Sequence, residues 1–173
     1  MADYKLVTGL FPDRDSAERA YSSVTARGYG HEDVNLVMSP ATRARHFGAD
    51  SRVSTEVGNR AAEGAGIGGA IVGTVGAIAA AVAAMGTSLV LPGLGIVVAG
   101  PLAAALAGAG AGGAAGGLIG ALIGWGIPEE RVKEYETGIR EGGILMGVRP
   151  RSVDDAREFE RSWRDANGRL VYS

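Results

Sequence analysis

The sequence predicts an α+β fold: a ferredoxin-like sandwich of two β-α-β units, interrupted by a long Gly/Ala-rich α-helical hairpin. Three observations predict it. Each end of the chain reads strand, helix, strand. The two ends also echo each other, Gly9-Leu10-Phe11-Pro12 against Gly147-Val148-Arg149-Pro150, as an internal duplication would. Between Glu63 and Glu129, finally, no residue is charged, although 21% of the chain is Asp, Glu, Lys or Arg.

Residues 1–39 form the first half of the sandwich. The run from Tyr4 to Phe11 carries β-branched and aromatic residues and reads as a strand, closed by Pro12 and Asp13. Asp13 or Asp15 can cap a helix whose apolar positions Ala17, Ala20, Tyr21 and Val24 recur at spacings of three and four. Gly28 stands where a helix C-terminal glycine belongs, and Asp33 to Met38 is the second strand. Residues 40–60 are polar, with Arg43, Arg45, Arg52 and Arg60, and are expected to be a basic linker or collar.

Residues 61–127 are expected to form the hairpin: one helix to about Met85, an apolar turn at Pro92, Gly93 and Gly95, and a second helix from Pro101. Gly108, Gly112, Gly116, Gly120 and Gly124 recur at every fourth position, which an α-helix brings onto one face. Gly69 and Gly73 belong to a matching stripe with Ala61, Ala65, Ala77 and Ala81. Small residues at this spacing let two helix backbones approach closely. These seven glycines are the expected helix–helix and oligomer seam.

Residues 128–173 hold an amphipathic helix and the second β-α-β half. Pro128 suits the first turn of a helix to about residue 141, with Glu129 and Glu130 at the positive end of its dipole. Ile144 to Pro150 reads as a strand. Ser152 with Asp155 resembles a capping box before a stripe of Val153, Ala156, Phe159, Trp163 and Ala166. Gly168 closes that helix, and Arg169 to Tyr172 is the last strand.

Each helix of the hairpin has the length to cross a hydrocarbon core, which needs about 20 residues. Arg residues upstream, Arg131 and Lys133 downstream, and a charge-free turn fit a hairpin in the cytoplasmic membrane with both ends cytoplasmic. Trp125 is then the interfacial anchor. Against insertion, each helical glycine costs ~1 kcal/mol relative to alanine, and Gly and Ala bring little transfer free energy. The alternative is a cytosolic assembly in which copies bury their hairpins in a common apolar layer or lumen holding hydrophobic guests. Either setting requires the chain to partner itself, because two small-residue stripes exceed what one intramolecular contact needs.

Other chemistry finds little footing. With net charge −2 and pI about 5.7, no nucleic-acid partner is expected. There are no cysteines, which removes disulfides, thiolate metal sites and thiol nucleophiles. The start of the chain has no basic segment before an apolar core, so no secretory signal is expected. Gly64-Ala65-Gly66-Ile67-Gly68-Gly69 satisfies a dinucleotide pattern, but no strand precedes it and no acid follows before Glu129, so no cofactor is expected. His31 and His46 have no partners at metal-ligand spacing. The paired acids Asp154/Asp155 and Glu129/Glu130 sit at helix starts, where the dipole accounts for them. Catalytic, cofactor and metal residues are all expected to be absent.

Three groups of motifs run along the chain. The first is Leu10-Phe11-Pro12-Asp13, Ala17-Glu18-Arg19-Ala20, Gly28-Tyr29 and Asp33-Val34-Asn35-Leu36-Val37. The second is Leu91-Pro92-Gly93-Leu94-Gly95, Ala99-Gly100-Pro101-Leu102 and the glycine-zipper helix. The third is Gly126-Ile127-Pro128-Glu129-Glu130, Tyr135-Glu136 and Gly142-Gly143-Ile144-Leu145. In these motifs the chain resembles the bacterial general stress proteins with a heat-induced YflT-like domain. The resemblance implies a stress context and a non-enzymatic role, with no catalytic residues to carry over. The function expected is a self-associating stress protein whose hairpin is inserted in, or lies against, the inner membrane. A soluble particle is the alternative, and a small-ligand or regulatory module on the sheet is a third possibility.

Overall fold

The computed structural model describes residues 5–47, 88–91, 96–101, 103, 122–123 and 126–173. The elements in chain order are β1 (Val7–Phe11), α1 (Arg14–Thr25), a 3-10 turn (His31–Asp33), β2 (Val34–Met38), α2 (Pro40–Phe47), β3 (Ser88–Leu91) and β4 (Ile96–Ala99). There follow α3 (Glu129–Arg140), β5 (Ile144–Val148), α4 (Val153–Asp165) and β6 (Arg169–Tyr172). The expected α+β class is observed. All pairings are antiparallel, in one six-stranded sheet of order β3-β4-β2-β5-β1-β6.

The two β-α-β units interleave. β5, from the second unit, lies between β1 and β2 of the first; β1 lies between β5 and β6. Strand alternation then builds two cores on the two faces of the sheet. Val7, Phe11, Val34, Leu36, Met38, Ile144, Met146, Val148 and Val171 point to the face covered by α1 and α4. There Trp163 meets Phe11 edge-on at 5.6 Å and Phe159 in a stack at 6.2 Å. Leu10, Val37, Val98 and Leu145 point to the opposite face, where Val132, Tyr135 and Ile139 of α3 cover them.

The helices end as their sequences direct. Asp13 caps α1 by accepting from the Ser16 amide at 2.7 Å, and Ser152 caps α4 by accepting from the Asp155 amide at 3.0 Å. Gly28 ends α1 with φ +76°, as expected of a C-terminal glycine. At the end of α4 the expectation is corrected: Asn167, with φ 63°, takes the left-handed position, and Gly168 follows it. The Asn167 amide donates to Arg164 O and the Gly168 amide to Trp163 O, the paired bonds of a Schellman motif. Val153 is a second departure, being 51% exposed rather than part of the buried stripe.

Two larger corrections concern the middle of the chain. The first eight residues of the expected linker form helix α2, tied down where Thr42 Oγ1 donates to Gly142 O and Arg14 donates to His46 O. Within the expected helical hairpin, Ser88–Leu91 and Ile96–Ala99 are strands. They pair from Ser88↔Ala99 to Leu91↔Ile96, and β4 joins the main sheet against β2. These two strands stand between the two expected helices, where no strand is expected, and the expected turn residues Pro92, Gly93 and Gly95 lie outside the described residues. Leu, Val and Ile on both sides of a Pro-Gly break favour a pleated pair, and three β2 residues supply the ladder that holds it.

Candidate functional site

The residues expected to make the helix–helix seam, Gly69, Gly73, Gly108, Gly112, Gly116, Gly120 and Gly124, lie outside the described residues. So do the turn residues Pro92, Gly93 and Gly95 and the expected anchor Trp125. What the structure describes is how the uncharged interval is rooted in the domain. Val97, Val98 and Ala99 are buried in β4. The chain then turns at Gly100, where φ is +102° and a Cβ would stand 2.5 Å from the Val34 carbonyl oxygen. Only glycine combines that backbone with so close a pass over β2. Pro101 and Ala103 are helical, and the Ala103 amide donates to Gly100 O at 2.9 Å.

The interval returns at Leu122 and Ile123, also helical. The Gly126 amide donates to Ile123 O, the Ile127 amide donates to Leu122 O, and Gly126 has φ +81°. This Schellman end is completed by Leu122 and Ile127, buried in one cluster. Ala103, Leu122 and Ile127 join Val98 and α3 on the second face of the sheet. The uncharged interval is thus held in a core near its middle, at Val98 and Ala103, and again at its end, at Leu122 and Ile127, a role that its composition alone did not signal.

Tyr135 holds α3 over this face. Its hydroxyl donates to Leu170 O at 2.8 Å, so the Thr8 hydroxyl, also at 2.8 Å, donates to Tyr135. Burial pushes the Tyr135 hydroxyl up to about 12, against the smaller opposing effect of the Thr8 bond. At the opposite face a polar cluster ties the two β-α-β units together. Tyr29 OH donates to Asp155 at 2.8 Å and accepts from the Arg151 amide at 2.6 Å. Arg27 pairs with Asp155, and Arg151 pairs with Asp33 at 2.7 Å while lying over the Tyr29 ring. Burial raises the Asp155 carboxyl, but the bonds from Tyr29 and Arg27 outweigh it and leave it below the usual carboxylate range. Asp155, read in the sequence as a capping-box partner, therefore serves a contact across the fold. The signal that would have found it is Arg27-Gly28-Tyr29 at a helix exit, a cation and a phenol with no local partner.

Of the histidines, His31 is exposed beside Glu32, and His46 lies on α2. Among the described residues no group of three His, Cys, Asp or Glu side chains is placed to hold a metal, and no helix is long and apolar enough to cross a membrane. A shallow cleft of about 140 Å³ lies between Leu10, Pro12, Gly138, Glu141, Gly143 and Arg169. No protein-family model matches the chain, and no curated protein or solved structure matches it.

Proposed function

We propose that this protein is a non-enzymatic scaffold that self-associates through its uncharged interval, and that its α+β domain clamps that interval at its middle and at its end. The observation that carries the reading is the burial of Val98, Ala103, Leu122 and Ile127 together on the second face of the sheet. A segment held this way is presented by the domain, and the surface it presents is rich in Gly and Ala. Gly69, Gly73, Gly108, Gly112, Gly116, Gly120 and Gly124 are the proposed contact between copies, since backbones that meet without intervening side chains pack tightly. The finer fold reading also belongs here. With β3 and β4 set aside, the order β2-β5-β1-β6 supports a ferredoxin-like sandwich extended at one edge. The stress context is what the resemblance to the YflT-like proteins implies.

The position of β3 and β4 favours assembly between copies over a bilayer-spanning hairpin tipped at Pro92, Gly93 and Gly95, because the strands flanking that tip belong to the domain's own sheet. Contact with a membrane surface is the second reading. It is favoured by Arg43 and Arg45 on α2 and by Arg131 and Lys133 on α3, cations on the helices either side of a charge-free stretch. A ligand module on the sheet has the least support, since β1, β2 and β5 are buried along their whole length.

Detergent-free fractionation followed by native mass measurement tests the proposal. The untagged protein is expected in the high-speed supernatant as a multimer, and Gly116→Leu is expected to yield smaller species. A wild-type monomer, or a Gly116→Leu variant with the wild-type mass, overturns it.

A further inference from the structure

The two edges of the sheet differ in chemistry. At β6 the strand is engaged by neighbouring side chains: Leu170 O accepts from Tyr135, Val171 O accepts from Arg164 at 3.4 Å, and the Arg131 guanidinium lies 3.8 Å from the Tyr172 ring centroid. The strand also carries a register shift against β1 and a residue with φ 51°, Leu170. These are the devices by which proteins keep an edge from pairing with another chain. At the other edge, the described ladder of β3 carries no register shift. Ser88-Leu89-Val90-Leu91 contains no charge, proline or glycine, and its ladder with β4 runs through four consecutive pairs without a shift. Among the described residues, no strand pairs with its outer side.

We infer that β3 is the pairing edge of this protein and that its partner is β3 of a second copy, joined antiparallel across a two-fold axis. The charge-free strand is its own complement, because self-pairing opposes no like charges. Pairing of β3 with β6 would propagate head-to-tail into a ring or filament rather than a two-fold dimer, and the occupied carbonyls of β6 work against it. A four-residue ladder sets geometry more than affinity. The inference therefore rests on the proposed self-association for its strength, and it assigns the register in which copies meet.

The chain has no cysteine, so a single introduced thiol reports without background. Full-length Ser88→Cys, Leu89→Cys, Val90→Cys and Leu91→Cys variants are oxidised mildly, with Val153→Cys on the exposed face of α4 as control. Covalent dimer is expected at one or two adjacent β3 positions, at least tenfold above the control. Val90→Lys, which opposes two charges near the axis, is expected to raise the dimer dissociation constant tenfold or more with an unchanged circular dichroism spectrum. If native mass shows assembly but no β3 thiol cross-links above control, the edge assignment is wrong while self-association stands. A wild-type monomer, or β3 amides protected from exchange within a monomer, overturns the inference as well.

Discussion

Tyr135 joins α3 to both β1 and β6 through one oxygen. Tyr135→Phe would leave the Thr8 hydroxyl and the Leu170 carbonyl facing an apolar ring, at a cost of about 1–3 kcal/mol. Urea denaturation at neutral pH reads that loss directly. The same hydroxyl also sets a pH dependence. Its folded value of about 12 stands above the ordinary 10, so the folded state keeps its proton where the unfolded chain has lost it. The stability this represents is fully present below pH 10 and disappears as pH rises to 12, by roughly 2–3 kcal/mol. Denaturation midpoints from pH 8 to 12 should fall steeply for wild type and less steeply for Tyr135→Phe. Asp155 has the opposite sign. Its lowered carboxyl contributes stability above the usual carboxylate range that is lost as pH falls through the folded value. Asp155→Asn is expected to destabilise by roughly 1–3 kcal/mol at neutral pH and to flatten the acid limb between pH 5 and 2 in a thermal melt. These residue-level contacts were hardly legible beforehand, because Thr8, Tyr135 and Leu170 are far apart in sequence and none sits in a pattern.

At the scale of elements the sequence was most readable where local signals agreed. The α1 cap at Asp13, the β2 run and the bounds of α3 follow from capping, β-branching and apolar spacing, and they fall within a few residues of the structure. Legibility failed where local signals were weak. Ser88–Leu91 and Ile96–Ala99 are short apolar runs between the two expected helices, and such runs carry no period that marks them as strands; pairing with β2 makes β4 part of the sheet. α2 was missed because Arg43, Arg45 and His46 outweighed the weak helical pattern of an eight-residue segment. Val153 is the first residue of α4 and is exposed although it shares the spacing of the apolar stripe. Element ends supply two sharp tests. Gly100→Ala combines an unfavourable φ with a Cβ 2.5 Å from Val34 O and should cost about 2–4 kcal/mol in chemical denaturation. Asn167→Val, which forces a β-branched residue to φ 63°, should cost about 1–2 kcal/mol, whereas Asn167→Gly should be tolerated.

Over the whole molecule, the interleaving of two β-α-β units makes the ends of the chain interdependent: the centre of the sheet, β2 and β5, takes one strand from each. The intervening segment is not a removable insertion either. Joining residues 1–39 to 127–173 would strip β4 from β2 and uncover Val37, Leu10 and Leu145 where Val98, Ala103 and Leu122 now lie. The shortened protein is expected to bind a hydrophobic dye and to melt at a lower temperature with a broader transition. A sharp wild-type-like melt would mean that the interval contributes nothing to the core.

The ladder between β4 and β2 has a mechanical meaning. Leu36, Val37 and Met38 grip Ala99, Val98 and Val97 midway along the apolar span, and β3 hangs from the same grip. Whatever drew that span away from the domain, be it a lipid film, a chaperone cavity or a translocating motor, would pull in shear on three backbone rungs before freeing anything beyond them. The apolar cargo of this chain is riveted at its middle, and unthreading it would begin with tearing the sheet.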